Sequence, residues 1–196
     1  MEVLPLAFTG GWASGINAWA TVLMLGLLGR FAGVEGVPAG FERTDVLIVM
    51  AVLAVAELVA DKIPYLDSAW DAVSTFIRPI AGATIGALIA GHTGDLGTMA
   101  LAAVGGVTAL LSHLAKSSLR LAINTSPEPV TNLTASAAGD LSLVGVLALA
   151  ALNPVAAATI AAALLVLTLG LALFLLNRVG RGWRAFRVWL ARRGRA

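Results

Sequence analysis

Ten charged residues, with a histidine among them, sit between long apolar runs where charge is costly. Glu57, Asp61, Lys62, Asp67, Asp71 and Arg78 form one block; Lys116, Arg120, Glu128 and Asp140 form a second, with His113 beside it. An Arg, Lys or Asp at the centre of a membrane helix costs about 2.5–3.5 kcal/mol even on lenient insertion scales. A chain that keeps both signs at helical spacing is expected to use them. Arg78, Lys116 and Arg120 suit an anionic group, the two arginines through a bidentate fork. Glu57, Asp61, Asp71 and Asp140 suit proton carriage or gating. Asn17 and Asn124, together with broken helix ends, offer further polar contacts for a substrate.

The polar residues of each run keep one face. Ser14, Asn17 and Thr21 stand at i, i+3, i+7, and Glu57 and Asp61 at i, i+4. Asp67, Asp71 and Arg78 fall at i, i+4, i+11, and His113, Lys116, Arg120 and Asn124 at i, i+3, i+7, i+11. Asn132, Ser136 and Asp140 complete the set at i, i+4, i+8. At 3.6 residues per turn each set is a stripe. Stripes that cannot face lipid are expected to converge on a shared polar interior. For Lys62, Asp67 and Glu128, which lie beside turns, snorkelling to water is the simpler expectation. Buried pairs of opposite sign also serve as static ties, so burial alone does not establish use.

The elements that must position these residues follow from composition. The chain has 196 residues, 59% hydrophobic and 12% charged, about half the charge of an average soluble domain. An all-α, polytopic membrane protein of about six spans is expected, with 1–178 as the helical bundle. Residues 3–33 as one helix would reach about 46 Å, too long for a hydrocarbon core of about 30 Å. A kink or half-helix near Ser14-Gly15 is expected. Further spans are read over 44–62, 68–90 (with Asp67-Ser68 as its N-cap), 96–123, 130–151 and 154–177, the last two divided at Asn153-Pro154. Three spans plus three is the layout of an inverted repeat, echoed by Gly15-Ile16-Asn17 and Ala122-Ile123-Asn124.

Seven of the 13 basic residues are arginines within 178–195, so outside that tail six bases face 11 acids. The tail accounts for the basic pI, and no nucleic-acid partner is implied. Trp183, Phe186 and Leu190 among the arginines read 179–196 as an amphipathic cytoplasmic tail on anionic lipid. An inner-membrane protein is expected, its arginine-rich tail kept cytoplasmic by the positive-inside rule and, with six spans, its N-terminus cytoplasmic too. With no cysteine and only His92 and His113, neither disulfides, metal nor cofactor is expected. No catalytic motif is present, and an enzyme is not expected. Gly82-Ala83-Thr84-Ile85-Gly86 is a small-residue face: packing within the bundle is its first reading, a homo-oligomer interface its second.

Ser14-Gly15-Ile16-Asn17-Ala18, Ala60-Asp61-Lys62-Ile63-Pro64 with the flanking acids, Arg78-Pro79, and Lys116, Arg120, Asn124 and Pro127 carry a resemblance. They resemble a family of small bacterial multi-span proteins known as a domain of unknown function, number four-one-two-six. The resemblance implies a helical membrane protein and no particular activity. The residues themselves favour transport of a small or lipid-linked anion coupled to protons, with membrane lipids as the surrounding partner. Two rivals use the same residues: a passive cation channel lined by the excess acids, and a non-transporting scaffold held by structural ion pairs.

Overall fold

The computed structural model describes residues 3–63, 66–91, 93–124 and 129–193. His92, Glu128 and the break at Ser126-Pro127 lie outside the described residues, as do the side chains of Ser68, Phe186 and Leu190. The described residues form seven α-helices: α1 (Val3–Ile16), α2 (Ala18–Ala32), α3 (Thr44–Ala60), α4 (Leu66–Ala90), α5 (Asp95–Ile123), α6 (Pro129–Leu152) and α7 (Pro154–Arg193). Among the described residues there is no strand, and one short 3₁₀ turn, Ala39–Glu42, precedes α3. Four stretches are long and apolar enough to cross a membrane: Ala69–Ala90, Asp95–Ile123, Val130–Leu152 and Pro154–Arg184. The all-α membrane expectation holds, and the helix limits fall within two residues of those expected for α3 to α6.

The expected break in the first span is real, but it lies at Asn17 and the chain doubles back there. Asn17 is extended, with φ −156° and ψ 108°, and its side-chain oxygen accepts the Ala20 amide as N-cap of α2. α1 runs parallel to α5, its Gly11 against Gly105 and Thr108 and its Gly15 against Ala109 and Ser112. It runs antiparallel to α4, with Gly10 beside Ile85 and Ser14 beside Arg78. α2 leads away from Asn17, bringing Leu25 back beside Gly10 and Gly26 beside Leu47 at the start of α3. The two short helices therefore form a hairpin with its tip inside the bundle, the half-helix of the two expected alternatives and not the kink. Thr9 through Ile16 are buried without interruption, so α1 is a central post that other helices surround.

Small residues let the helices around that post approach closely. A Cβ at Gly105 would strike the Gly82 carbonyl, and one at Gly86 the Leu101 carbonyl. A Cβ at Gly11 would strike Gly105, and one at Gly15 the Ala109 carbonyl. The Gly82/Gly86 face thus packs inside the bundle, as its first reading expected. α6 leans on α7, α1 and α2 and touches α5 little. At the other end of the chain, α7 passes through 178–179 without interruption, so the basic tail is a continuation of the last span.

The start of α4 differs from expectation. α4 begins at Leu66, which places Asp67 within its first turn, where a carboxylate favours the helix dipole. Asp67 is also fully buried, against the expectation that it reaches water. Gly105→Val is expected to lower stability by about 1–3 kcal/mol through overpacking, read as an earlier thermal unfolding midpoint in detergent. Gly170→Ala is the control, because nothing lies within 4 Å of its added Cβ; it should leave the midpoint unchanged or raise it.

Candidate functional site

Residues from all five polar stripes meet at the tip of the α1–α2 hairpin, where the last turns of α3 and α5 and the first turns of α4 and α6 also converge. α3 supplies Glu57 and, just past its end, Asp61. α4 supplies Asp67, Asp71, Thr75 and Arg78; α5 supplies His113, Lys116 and Arg120. Glu57, Asp61, Asp67, Asp71, Arg78, His113 and Arg120 are all buried. Four carboxylates thus enclose three cations, and both arginines are shared between carboxylates.

Arg78 is the deepest. Its Nη2 donates to Glu57 Oε1 and lies 3.9 Å from Asp71 Oδ1. Its Nη1 donates to the Gly15 carbonyl at 2.7 Å and sits 3.0 Å from His113 Nδ1. A guanidinium only donates, so that nitrogen must accept, and the histidine proton resides on Nε2. Nε2 faces Thr75 Oγ1 at 3.0 Å and the Asp71 carbonyl at 3.2 Å. His113 is therefore a neutral wedge that fixes Arg78.

Asp61 is the hub on the other side. Arg120 grips it with two nitrogens, Nη1 to Oδ1 at 3.2 Å and Nη2 to Oδ2 at 3.1 Å. Lys116 Nζ donates to the same Oδ2 and to the Ile16 carbonyl at 2.8 Å. Arg120 also reaches Asp71 Oδ2 at 3.0 Å and stands 3.8 Å from Asp67 Oδ2. Asn124 and Asn132 donate to Asp67 at 3.2 and 3.5 Å. The carbonyl end of a helix is its negative pole, and two cations from two other helices cap the buried end of α1. Broken helix ends were expected to offer polar contacts to a substrate; the Gly15 and Ile16 carbonyls instead accept from the protein's own Arg78 and Lys116.

Beside this network lies a cavity of about 540 Å³ between α5, α6, α7 and the end of α1. Its polar lining includes Lys116, Arg120, Asn132 and Ser136; Trp12, Leu119, Leu164, Leu165, Leu171 and Leu175 make it mostly apolar. Lys116 and Arg120 stand between Asp61 and this space.

The expected site residues sort plainly. Arg78, Lys116, Arg120, Glu57, Asp61 and Asp71 come together in one network. Asn124 joins through Asp67, although its residue surface is exposed. Asn17 caps α2 and lines a separate cavity of about 210 Å³ with Asp140. Asp140 stands apart from the network, half-buried, 3.9 Å from Lys62. Lys62 does reach outward, donating to the Leu58 carbonyl at 2.9 Å. Thr75, Asp67, His113 and Asn132 belong to the site as well. The i, i+4 step from Asp71 was the signal that could have found Thr75; the other three already stood on the polar stripes.

This fold and site define a helical membrane protein organised around a buried ion network. A family model described as "Domain of unknown function (DUF4126)" matches residues 4–173, and the chain belongs to that family. No curated protein and no solved structure matches it.

Removing one partner of a buried pair strands the other, at a cost of about 3–5 kcal/mol. Arg78→Met is therefore expected to destabilise strongly in chemical or thermal unfolding. The double variant Arg78→Met/Glu57→Met should lose less than Arg78→Met alone.

Proposed function

We propose that the protein transports a small or lipid-linked anion across the membrane, coupled to protons. One observation carries this reading: Lys116 and Arg120 are shared between Asp61 and the 540 Å³ cavity. An anion entering the cavity competes with Asp61 for both cations. A carboxylate displaced from its cations in a low-dielectric interior is costly as an anion and takes up a proton. Occupation by substrate and protonation of Asp61 then rise and fall together, which is the requirement for coupling. The surplus of one carboxylate over the three cations gives that proton a seat.

The same exchange reaches the fold. Lys116 also holds the Ile16 carbonyl, so a change in its partners is felt at the tip of the hairpin. We place the protein in the bacterial inner membrane with the arginine-rich end of α7 cytoplasmic. Because α1 and α2 double back, Val3 then falls on the opposite side, which departs from the expectation of two cytoplasmic termini. The network end of the bundle faces the cytoplasm. An internal repeat is supported only by the parallel endings of α1 and α5, each on Ile followed by Asn at 16–17 and 123–124.

The scaffold reading draws on a specific observation too, since every cation of the network is already paired. Flux separates the two. In proteoliposomes holding a trapped pH dye, an imposed anion gradient is expected to move protons in the wild type. Lys116→Met should reduce that movement by about tenfold or more, the weight of one charge-assisted hydrogen bond. Asp61→Asn should leave anion movement while abolishing the proton signal. Absence of flux with every anion, soluble or lipid, would favour the scaffold. Current carried by cations regardless of the anion would favour the channel.

A further inference from the structure

The 540 Å³ cavity has a chemical polarity that the transport reading leaves unused. Lys116, Arg120, Ser136 and Asn132 supply the polar part of its lining. Ser136 is only 5% exposed, lines the cavity, and its Oγ has no hydrogen-bond partner. A buried hydroxyl without a partner is uncommon, because leaving it unmet costs about 1–3 kcal/mol. It is a donor awaiting an acceptor from within the cavity. Leucines of α7 and Trp12 of α1 supply an apolar part of the lining, with no charged residue among them.

The mouth faces sideways. Thr131, Thr134 and Ala138 line the cavity and are themselves exposed, at i, i+3, i+7 along α6. They belong to a stretch apolar enough to span the membrane, and α6 touches α5 little. An occupant therefore enters between helices from the lipid layer. The volume lies within the range of about 300–1,000 Å³ typical of small-molecule sites. A soluble anion would satisfy the cations and leave the leucine wall unfilled; a neutral lipid would fill the wall and leave the cations and Ser136 unmet.

We infer that the cavity is a binding site for a membrane lipid with an anionic phosphate head. The phosphate engages Lys116, Arg120 and Ser136, and the hydrocarbon tail lies along α7 beside Trp12. This deepens the reading above by naming its substrate class, yet it concerns binding and stands or falls without flux. Phosphate offers several acceptor oxygens, which suits an ammonium, a guanidinium fork and a hydroxyl at once. Since Asp61 competes with the phosphate for the same cations, neutralising Asp61 should tighten binding.

The test is equilibrium binding of radiolabelled oleoyl lysophosphatidic acid to the full-length purified protein in non-ionic detergent, read by scintillation proximity. Saturable binding is expected, weaker by about tenfold in Lys116→Met and Ser136→Ala together, and tighter in Asp61→Asn. Oleoyl lysophosphatidylcholine, with the same tail and a zwitterionic head, should compete at least about tenfold less well. Gly139→Leu tests the place without touching a charge, because the Gly139 Cβ position is open enough, 3.7 Å from Ile16, and faces the cavity. It should abolish binding while the protein keeps its unfolding midpoint. Equal competition by the two lipids, or full binding in Gly139→Leu, overturns the proposal. Inorganic phosphate competing as well as the lipid also overturns it, while leaving transport of a small anion standing. Lipid binding with no flux in proteoliposomes supports this site and counts against the transport reading alone.

Discussion

A charge removed from water must find an opposite charge or a dipole, and that requirement organises this protein. Burial of Arg78, Arg120 and Lys116 among helices is tolerable because each meets carboxylates and two of them meet the open carbonyls of α1. Conversely, α1 can end inside the bundle only because cations take up its last carbonyls, which have no helical partner of their own. The break at Asn17 and the ion network therefore explain each other. Neither would be stable with the other removed.

Reaching that arrangement requires close backbones. Arg78 meets Gly15 at 2.7 Å, and Lys116 meets Ile16 at 2.8 Å. Such contacts between three helices need the glycines at 11, 15, 82, 86 and 105, where side chains would hold the backbones apart. In lipid no hydrophobic force pulls helices together, so packing at small residues and polar bonds must do so. The glycine contacts and the charges are two halves of one device: the first brings the helices near, the second fixes their register. The cavity arises where this device stops. α6 lacks close glycine contact with α5, and both helices line the space.

Much of this was legible in the residues. Polar side chains are scarce in a chain that is 59% hydrophobic, so the period of 3.6 in Glu57/Asp61 or in His113/Lys116/Arg120 stands out and marks inward faces. Asn153-Pro154 and Gly91 to Gly94 mark turns by their own backbone chemistry. The reversal at Asn17 was not legible, because a glycine-rich break announces that a helix stops and says nothing of its next direction. Asp67 was misjudged by its closeness to a turn; Asn124 and Asn132, from helices distant in sequence, cover it. Backbone carbonyls at Gly15 and Ile16 carry no side-chain signal beyond the break itself. The cavity left no mark either, since an absence of contact between α5 and α6 is a property of the packed bundle. Asp140 kept helical register with Ser136 yet lies beyond the network, on the side of the smaller cavity.

The central claim is that Lys116 and Arg120 exchange partners between Asp61 and an incoming anion, with a proton following the exchange. Titration calorimetry tests it most directly. Oleoyl lysophosphatidic acid is added to the purified protein in two buffers of different ionisation enthalpy, and the difference in heat counts the protons taken up on binding. The account predicts uptake of about one proton per lipid bound, lost in Asp61→Asn although the lipid still binds. Binding with no proton uptake in the wild type would contradict it.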